Sequence, residues 1–291
     1  MSDVYLNGSF MPASEARISP MDRGFLFGDG IYEVIPSYHG KLVGFTPHID
    51  RMQRGLAEIG IQFDWSHTQW LDMIKELLMR NGNGDLGVYL HVSRGTDSKR
   101  GHAFPAGVTP TVFAFAFTIN PPPTGLPGSA KPIQVASARD LRWKRCHIKS
   151  TALLGNVLHH QQGVDAGYQE TMLFNEQDEL TEGSSCNAFI VKDGVISTPP
   201  LDQQILPGIT RLLLLQILRK HSTLPVQERV ISKAEVLAAD EVWLTSSSKE
   251  LMPVIAIDGQ PVGSGEVGAI WYQAQQLFAA HKFADEHTAV S

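Results

Sequence analysis

Thiols are scarce in this chain: Cys146 and Cys186 are its only cysteines, too few for a disulfide framework and lacking the Cys-x-x-Cys spacing of a metal knuckle. A reducing compartment and no bound metal are the expectations. Lysine and arginine tracts are also missing and the formal net charge is -6, so nothing could neutralise a row of phosphates and nucleic acid is excluded as a partner. The longest apolar run, Leu212-Leu213-Leu214-Leu215, is broken by Gln216 and falls far short of a membrane span. No basic stretch followed by an apolar one opens the chain, which therefore reads as mature sequence. Internal repeats and low-complexity tracts are absent too, and the expectation is a soluble, cytoplasmic protein.

What is present is enough apolar material for a substantial core: 291 residues, 43% of them hydrophobic, a length that suits two domains. Residues 4–11 read as a hairpin turning at Asn7-Gly8, and 32–45 as a second one turning at His39-Gly40. Thr46-Pro47 looks like an N-cap followed by proline, starting an amphipathic helix that Gly60 ends. A helix over 68–79 and strands over 87–94 and 111–118 follow. The cluster Asn120-Pro121-Pro122-Pro123-Thr124-Gly125-Leu126-Pro127-Gly128 is too stiff and too poor in backbone donors for a regular element. It sets the expected boundary: a smaller N-terminal α/β domain over 1–119, a linker over 120–128, and a larger C-terminal domain over 129–291. In that second part, strands at 133–136, 170–174, 188–191, 226–230 and 242–245 alternate with helices at 153–163, 209–220 and 267–282. The class is mixed, α/β or α+β, which periodicity alone does not separate.

Two residues carry most of the chemical information. Lys149 closes the run Arg142-Trp143-Lys144-Arg145-Cys146-His147-Ile148-Lys149, and Glu182 opens Glu182-Gly183-Ser184-Ser185-Cys186-Asn187, whose small residues allow close approach of a ligand. A lysine able to form a Schiff base and an acid able to keep a ring nitrogen protonated are what pyridoxal phosphate chemistry requires. Gly208-Ile209-Thr210-Arg211 leads into a leucine-rich helix whose first amides would favour an anion, although the same residues also make an ordinary Pro-Gly turn. Thr245-Ser246-Ser247-Ser248 closes a strand with hydroxyls and amides, and Arg51 shares a helix face with His48. Arg94-Gly95-Thr96-Asp97-Ser98-Lys99-Arg100-Gly101-His102 is either a carboxylate clamp or an exposed basic loop. Gly28-Asp29-Gly30-Ile31-Tyr32-Glu33 imitates a dinucleotide fingerprint but has Glu33 where glycine is needed and leads into a strand, so it is rejected. The neighbouring His159 and His160 point about 100° apart on a helix and are packing residues rather than a chelate.

In order along the chain, Arg23-Gly24-Phe25-Leu26-Phe27-Gly28-Asp29-Gly30-Ile31-Tyr32-Glu33, His48-Ile49-Asp50-Arg51, Lys149, Glu182-Gly183-Ser184-Ser185 and Gly208-Ile209-Thr210-Arg211 resemble the class IV pyridoxal phosphate-dependent aminotransferases. The similarity runs from about Tyr5 to Val262. Arg100-Gly101-His102, Trp143 and Lys149 resemble most the branch that acts on D-amino acids, D-alanine above all. The resemblance implies the two-domain fold type IV, pyridoxal 5'-phosphate as cofactor, and a homodimer. It also implies roles: Lys149 bonds the cofactor and shuttles the proton, and Glu182 meets the pyridine nitrogen. Leu206 would lie near the ring, while Arg51, Ile209, Thr210, Ser246 and Ser247 would hold the phosphate. Tyr32, Arg100 and His102 would trap the substrate α-carboxylate, the last two coming from the neighbouring subunit. Ser247 and Ser248 stand where threonines are usual in the branch, and Ser150-Thr151-Ala152 after the lysine also departs from it; serine keeps the hydroxyl. The implied reaction passes an amino group from a D-amino acid to 2-oxoglutarate, giving pyruvate and D-glutamate when the donor is D-alanine. The alternatives are a branched-chain L-amino acid aminotransferase, an aminodeoxychorismate lyase, and a non-catalytic pyridoxal phosphate binder.

Overall fold

The structure, a computed structural model, describes residues 2–82 and 84–283. Among the described residues it divides into two units, one of residues 2–121 together with Ile148–Leu153, the other of Pro122–His147 together with residues 154–283.

In the first unit, β1 (Asp3–Leu6) and β2 (Ser9–Pro12) form a hairpin with Leu6 opposite Ser9. Its two turn residues, Asn7 and Gly8, have φ of 47° and 99°, the positive values that a tight turn between right-twisted strands needs. A short helix, α1 (Arg23–Phe27), is capped by Asp22, which accepts from the Gly24 amide, and closed by Gly28 at φ 66°. β3 (Gly30–Tyr38) turns at His39-Gly40 into β4 (Lys41–Leu42). In α2 (Phe45–Glu58) the N-cap is Gly44, not the expected Thr46. Pro47 then falls in the first turn, where its missing N–H has no intrahelical acceptor to lose. A reciprocal capping box between Ser66 and Gln69 starts α3 (His67–Asn81), and β5 (Leu86–Ser93) and β6 (Thr111–Thr118) complete the sheet. The strand order is β2-β1-β6-β5-β3-β4, antiparallel throughout. Helical Ile49, Met52, Leu56, Trp70, Ile74 and Leu77 bury a core with the alternating Ile31, Ile35, Val88, Leu90 and Val92.

One edge of this sheet determines where Lys149 sits. β4 pairs with β3 only at Ser37 and Tyr38, so the start of β3 keeps backbone groups in need of partners. Residues 149–151 supply them: the Tyr32 amide donates to the Lys149 carbonyl at 3.1 Å, the Thr151 amide donates to Gly30 at 3.0 Å, and Ile31 bridges Ser150. Ile148 anchors the segment in the same apolar core.

The second unit contains β7 (Ile133–Arg139), α4 (Leu154–Asp165), β8 (Glu170–Phe174), β9 (Leu180–Gly183), β10 (Asn187–Lys192), β11 (Val195–Thr198), α5 (Ile209–His221), β12 (Val226–Glu228), α6 (Lys233–Leu237), β13 (Glu241–Ser246), β14 (Glu250–Ile257), β15 (Gln260–Pro261) and α7 (Ala269–His281). The sheet path is β12-β11-β10-β13-β14-β7-β8-β9, with β15 on β14. It is mixed: β11/β12, β14/β7 and β7/β8 are parallel and the other pairs antiparallel. Both faces are covered, and β10 shows it: Ala188 and Ile190 join one apolar cluster, Phe189 and Val191 the other, where Leu214 and Leu218 of α5 and Trp271 and Phe278 of α7 pack. The centre of β10, Ala188 to Val191, thus reads as a continuous apolar run. The proline-rich 120–128 stretch has no regular element; the Gln276 side chain of α7 donates to Gly125. Among the described residues no helix is long and apolar enough to cross a membrane.

Candidate active site

Within the first unit, the pairing of 149–151 with β3 brings Lys149 beside Tyr32, its Nζ 4.2 Å from the phenol ring centroid. Tyr32 stacks in turn on Tyr89, centroids 5.6 Å apart, so the ring facing the lysine is held from behind. Gly28 is part of this arrangement: a Cβ there would lie 2.8 Å from Ala152, and its positive φ disfavours any side chain.

One residue along β3, on the opposite face, Glu33 is fully buried. Arg51 grips it with Nε to Oε1 at 2.7 Å and Nη2 to Oε2 at 2.6 Å, and His48 Nδ1 lies 2.7 Å from Oε2. Burial works to raise the carboxyl, but the Arg51 charge, its hydrogen bonds and His48 outweigh it and hold Glu33 down to about 2. Burial also pushes His48 down, against the pull of Glu33 and with a contribution from the Lys149 charge. Arg51 is therefore a fixed cation on the second turn of α2, with its fork oriented by β3.

Arg100 and His102 lie together on the long β5–β6 connection, both exposed. The Arg100 guanidinium is 5.2 Å from the Phe27 ring centroid and the His102 ring 5.5 Å from it. No hydrogen bond, ion pair or ring contact among the described residues joins this pair to Tyr32 or Lys149. The structure thus groups Tyr32 with Lys149, and Arg100 with His102, but not one pair with the other.

In the second unit, Glu182 on β9 is buried and accepts three hydrogen bonds: from Arg142 Nη1 at 2.6 Å, Asn187 Nδ2 at 3.0 Å and the Leu206 amide at 3.1 Å. Arg142 also binds Asp140, through Nε at 3.0 Å and Nη2 at 2.7 Å. One guanidinium charge is thereby shared by two carboxylates. Burial pushes the Glu182 carboxyl up to about 7, which the Arg142 charge only partly offsets. Asn187 fixes the site from the other side by donating to the Leu206 carbonyl at 2.8 Å, so Leu206 is tied at both its backbone groups.

The anion-binding candidates belong to the same unit. Gly208 is the N-cap of α5 and offers no side-chain acceptor, leaving the first-turn amides of Ile209 and Thr210 without a side-chain cap. Any Cβ at Gly208 would collide with Asn187 Oδ1. Ser246 ends β13, and its Oγ, like Thr245 Oγ1, is buried with no hydrogen-bond partner among the described residues; Ser247 follows in the turn.

These features fit a pyridoxal phosphate. Glu182 and Asp140 share the single Arg142 charge, and a protonated ring nitrogen would give Glu182 a cation of its own. The orphaned Ser246 hydroxyl and the uncapped helix start suit a phosphate, where unsatisfied buried donors are otherwise costly. Sequence reasoning missed the residues that act behind these: Glu33, Arg142, Asp140 and Asn187. Arg142 stood in the basic run that ends at Lys149, and Glu33 in the motif with Tyr32, yet no local pattern indicates their partners.

The family model for amino-transferase class IV matches residues 30–257. A D-alanine aminotransferase of Staphylococcus aureus (strain COL) is 38% identical over 289 residues, 99% of this chain and 100% of that one. A D-alanine aminotransferase of Bacillus licheniformis is 40% identical over 272 residues, 94% of each. Among solved structures, the branched-chain amino acid aminotransferase from Escherichia coli superposes with a TM-score of 0.86 at 23% identity, covering 100% of this chain and 97% of that one.

Proposed function

The chain belongs to the class IV aminotransferases, and from that premise we propose that it transfers the amino group of a D-amino acid, D-alanine foremost, to 2-oxoglutarate, yielding pyruvate and D-glutamate. The observation that carries the D-amino acid assignment is its near-full-length identity of 38–40% to D-alanine aminotransferases. The arrangement of Lys149 beside Tyr32 supports it. The branched-chain enzyme shares the fold at 23% identity, a level that speaks to architecture alone.

Pyridoxal phosphate, when bound, supplies the electron sink that makes the substrate Cα–H acidic. Lys149 Nζ would hold the cofactor at rest and, released as a free amine, would move the proton at the substrate Cα. Glu182 holds a proton at the ring nitrogen, and Arg142, Asn187 and the Leu206 amide keep its carboxyl aimed. Leu206 would lie near the ring. The amides of Ile209 and Thr210, the hydroxyls of Ser246 and Ser247, and the Arg51 guanidinium bind the phosphate. Tyr32, Arg100 and His102 bind the substrate α-carboxylate, and so decide which enantiomer presents its hydrogen to Lys149. A homodimer in the cytoplasm, its domains bounded near residues 119 and 129, completes the reading.

The test is a screen of D- and L-amino acids against 2-oxoglutarate. D-alanine, with other small or acidic D-amino acids, is the expected donor; a steady preference for L-leucine or L-valine would overturn the assignment. A visible cofactor band that borohydride removes, without transamination of any donor, would leave only a binding protein.

A further inference from the structure

Arg100 and His102 sit on a connection that, among the described residues, has no helix or strand between Arg94 and Pro110, its only ladder contact being the bridge from Thr96 to Asp22. Connections of that length are costly to order and, when structureless, are commonly functional. This one is not left to itself. Arg23, the first residue of α1, holds it at two places. Its amide donates to the Gly95 carbonyl at 2.9 Å, where the connection leaves β5. Its guanidinium donates to the Gly101 carbonyl at 2.5 Å and to the His102 carbonyl at 3.3 Å.

The third direction of the fork is used too: Nε donates to Asp29 at 2.7 Å, and Asp29 is gripped from its other side by Arg94 at 2.8 and 3.0 Å. The Arg23 side chain is only 4% exposed, so its charge faces the protein rather than solvent or a ligand. Its face lies 4.8 Å from the Phe27 ring centroid, the same ring against which Arg100 and His102 rest. A buried arginine, engaged through each of its three side-chain nitrogens, thus fixes the carbonyl of Gly101, between the clamp residues, and that of His102 itself, while an aromatic from the same short helix gives their side chains a platform.

We propose that Arg23 is a positioning residue for substrate-carboxylate recognition: it holds the 100–102 segment in its binding conformation before the substrate arrives, with Phe27 as the platform for Arg100. This rests on the clamp role given above to Arg100 and His102. Lysine in its place would keep a charge for Asp29 but lacks the planar fork that reaches separate oxygens in fixed directions. Without the brace, each binding event would have to order the loop, and affinity for the carboxylate would fall while the chemistry, set elsewhere, would not.

The experiment compares wild type, Arg23→Lys, Arg23→Met, Phe27→Leu and Arg100→Ala as holoenzymes. Three quantities are read: KM and kcat for D-alanine, release of cofactor followed by its absorbance, and hydrogen exchange of peptides spanning 97–104. Arg23→Lys should raise KM about tenfold with kcat within about twofold, speed exchange in 97–104, and leave cofactor release unchanged. If Arg23→Met does not fold, Phe27→Leu, which keeps the Arg23–Asp29 pair, should give the same split to a smaller degree. Unchanged KM and exchange in Arg23→Lys, or a loss confined to kcat, would overturn the proposal. Failure of the clamp reading looks different: Arg100→Ala would then leave KM for D-alanine unaltered, whereas 97–104 exchange would still report whether Arg23 holds the loop.

Discussion

The buried set of Glu33, His48 and Arg51 makes an acid-stability prediction with a worked size. Glu33 goes from an ordinary 4.5 to about 2 on folding. A carboxylate with a depressed value contributes stability that is complete above its unfolded value and disappears as pH falls through its folded one. The window is therefore pH 4.5 down to 2, and 2.5 pH units at 1.36 kcal/mol each give about 3 kcal/mol at neutral pH. At pH 3, one unit above the folded value, about 2 kcal/mol of that has been lost. Glu33→Gln removes the charge and one of the two oxygens that accept from the Arg51 fork, a change that costs about 3 to 5 kcal/mol for a buried pair. Urea unfolding of the apoprotein, wild type against Glu33→Gln, at pH 7 and at pH 3 is the assay. The stability gap should be about 3 kcal/mol or more at pH 7 and should narrow by about 2 kcal/mol at pH 3. A gap of equal size at both pH values would refute the reasoning, since it would mean that Glu33 is not ionised by its partners in the fold.

Other substitutions probe the two halves of the cofactor chemistry separately. Glu182→Gln should lower kcat by about 100-fold while borohydride still labels Lys149, as measured by single-turnover kinetics and peptide mass; a labelled variant at full speed would exclude the ring-nitrogen role. Ser246→Ala should weaken cofactor affinity by about tenfold or more, in line with the roughly 1.5 to 3 kcal/mol of one hydrogen bond to a charged group, when apoprotein is titrated with pyridoxal phosphate. Gly28→Ala meets both a left-handed φ and Ala152 at 2.8 Å, so thermal unfolding should reveal a loss of about 1 kcal/mol or more.

Local chemistry was legible and distant partnership was not. The turns at Asn7-Gly8 and His39-Gly40, and the strands β6 and β8, emerge from the sequence because the information lies within a few residues. β14 does not: Pro253 argues against a central strand. It is tolerated because parallel pairing with β7 begins only at Val254, and the register shifts between Val254 and Ala256. α1, β9, β11 and α6 are too short for a periodic signal. In the site, Lys149 and Glu182 could be found by residue type, whereas Glu33 and Arg51 are 18 residues apart, and Arg142 and Glu182 40 apart. Those pairs exist because strands and loops fold back on one another, which no window of sequence records.

Residues 148–153 count with the first unit although the chain on both sides of them counts with the second. The spatial boundary is thus not a cut point in the gene. A fragment ending at Pro121 would lose the partner of Gly30 and Tyr32 and expose a raw strand edge, the kind that recruits other chains. Nor could recombination exchange the first unit for a relative's as a single cassette: the six residues that complete it, its lysine among them, would stay behind in the recipient and would have to match a foreign β3. Inheritance of the two units is thereby linked, and variation at Gly28, Gly30 or Ala152 is constrained by a stretch of sequence more than a hundred residues away.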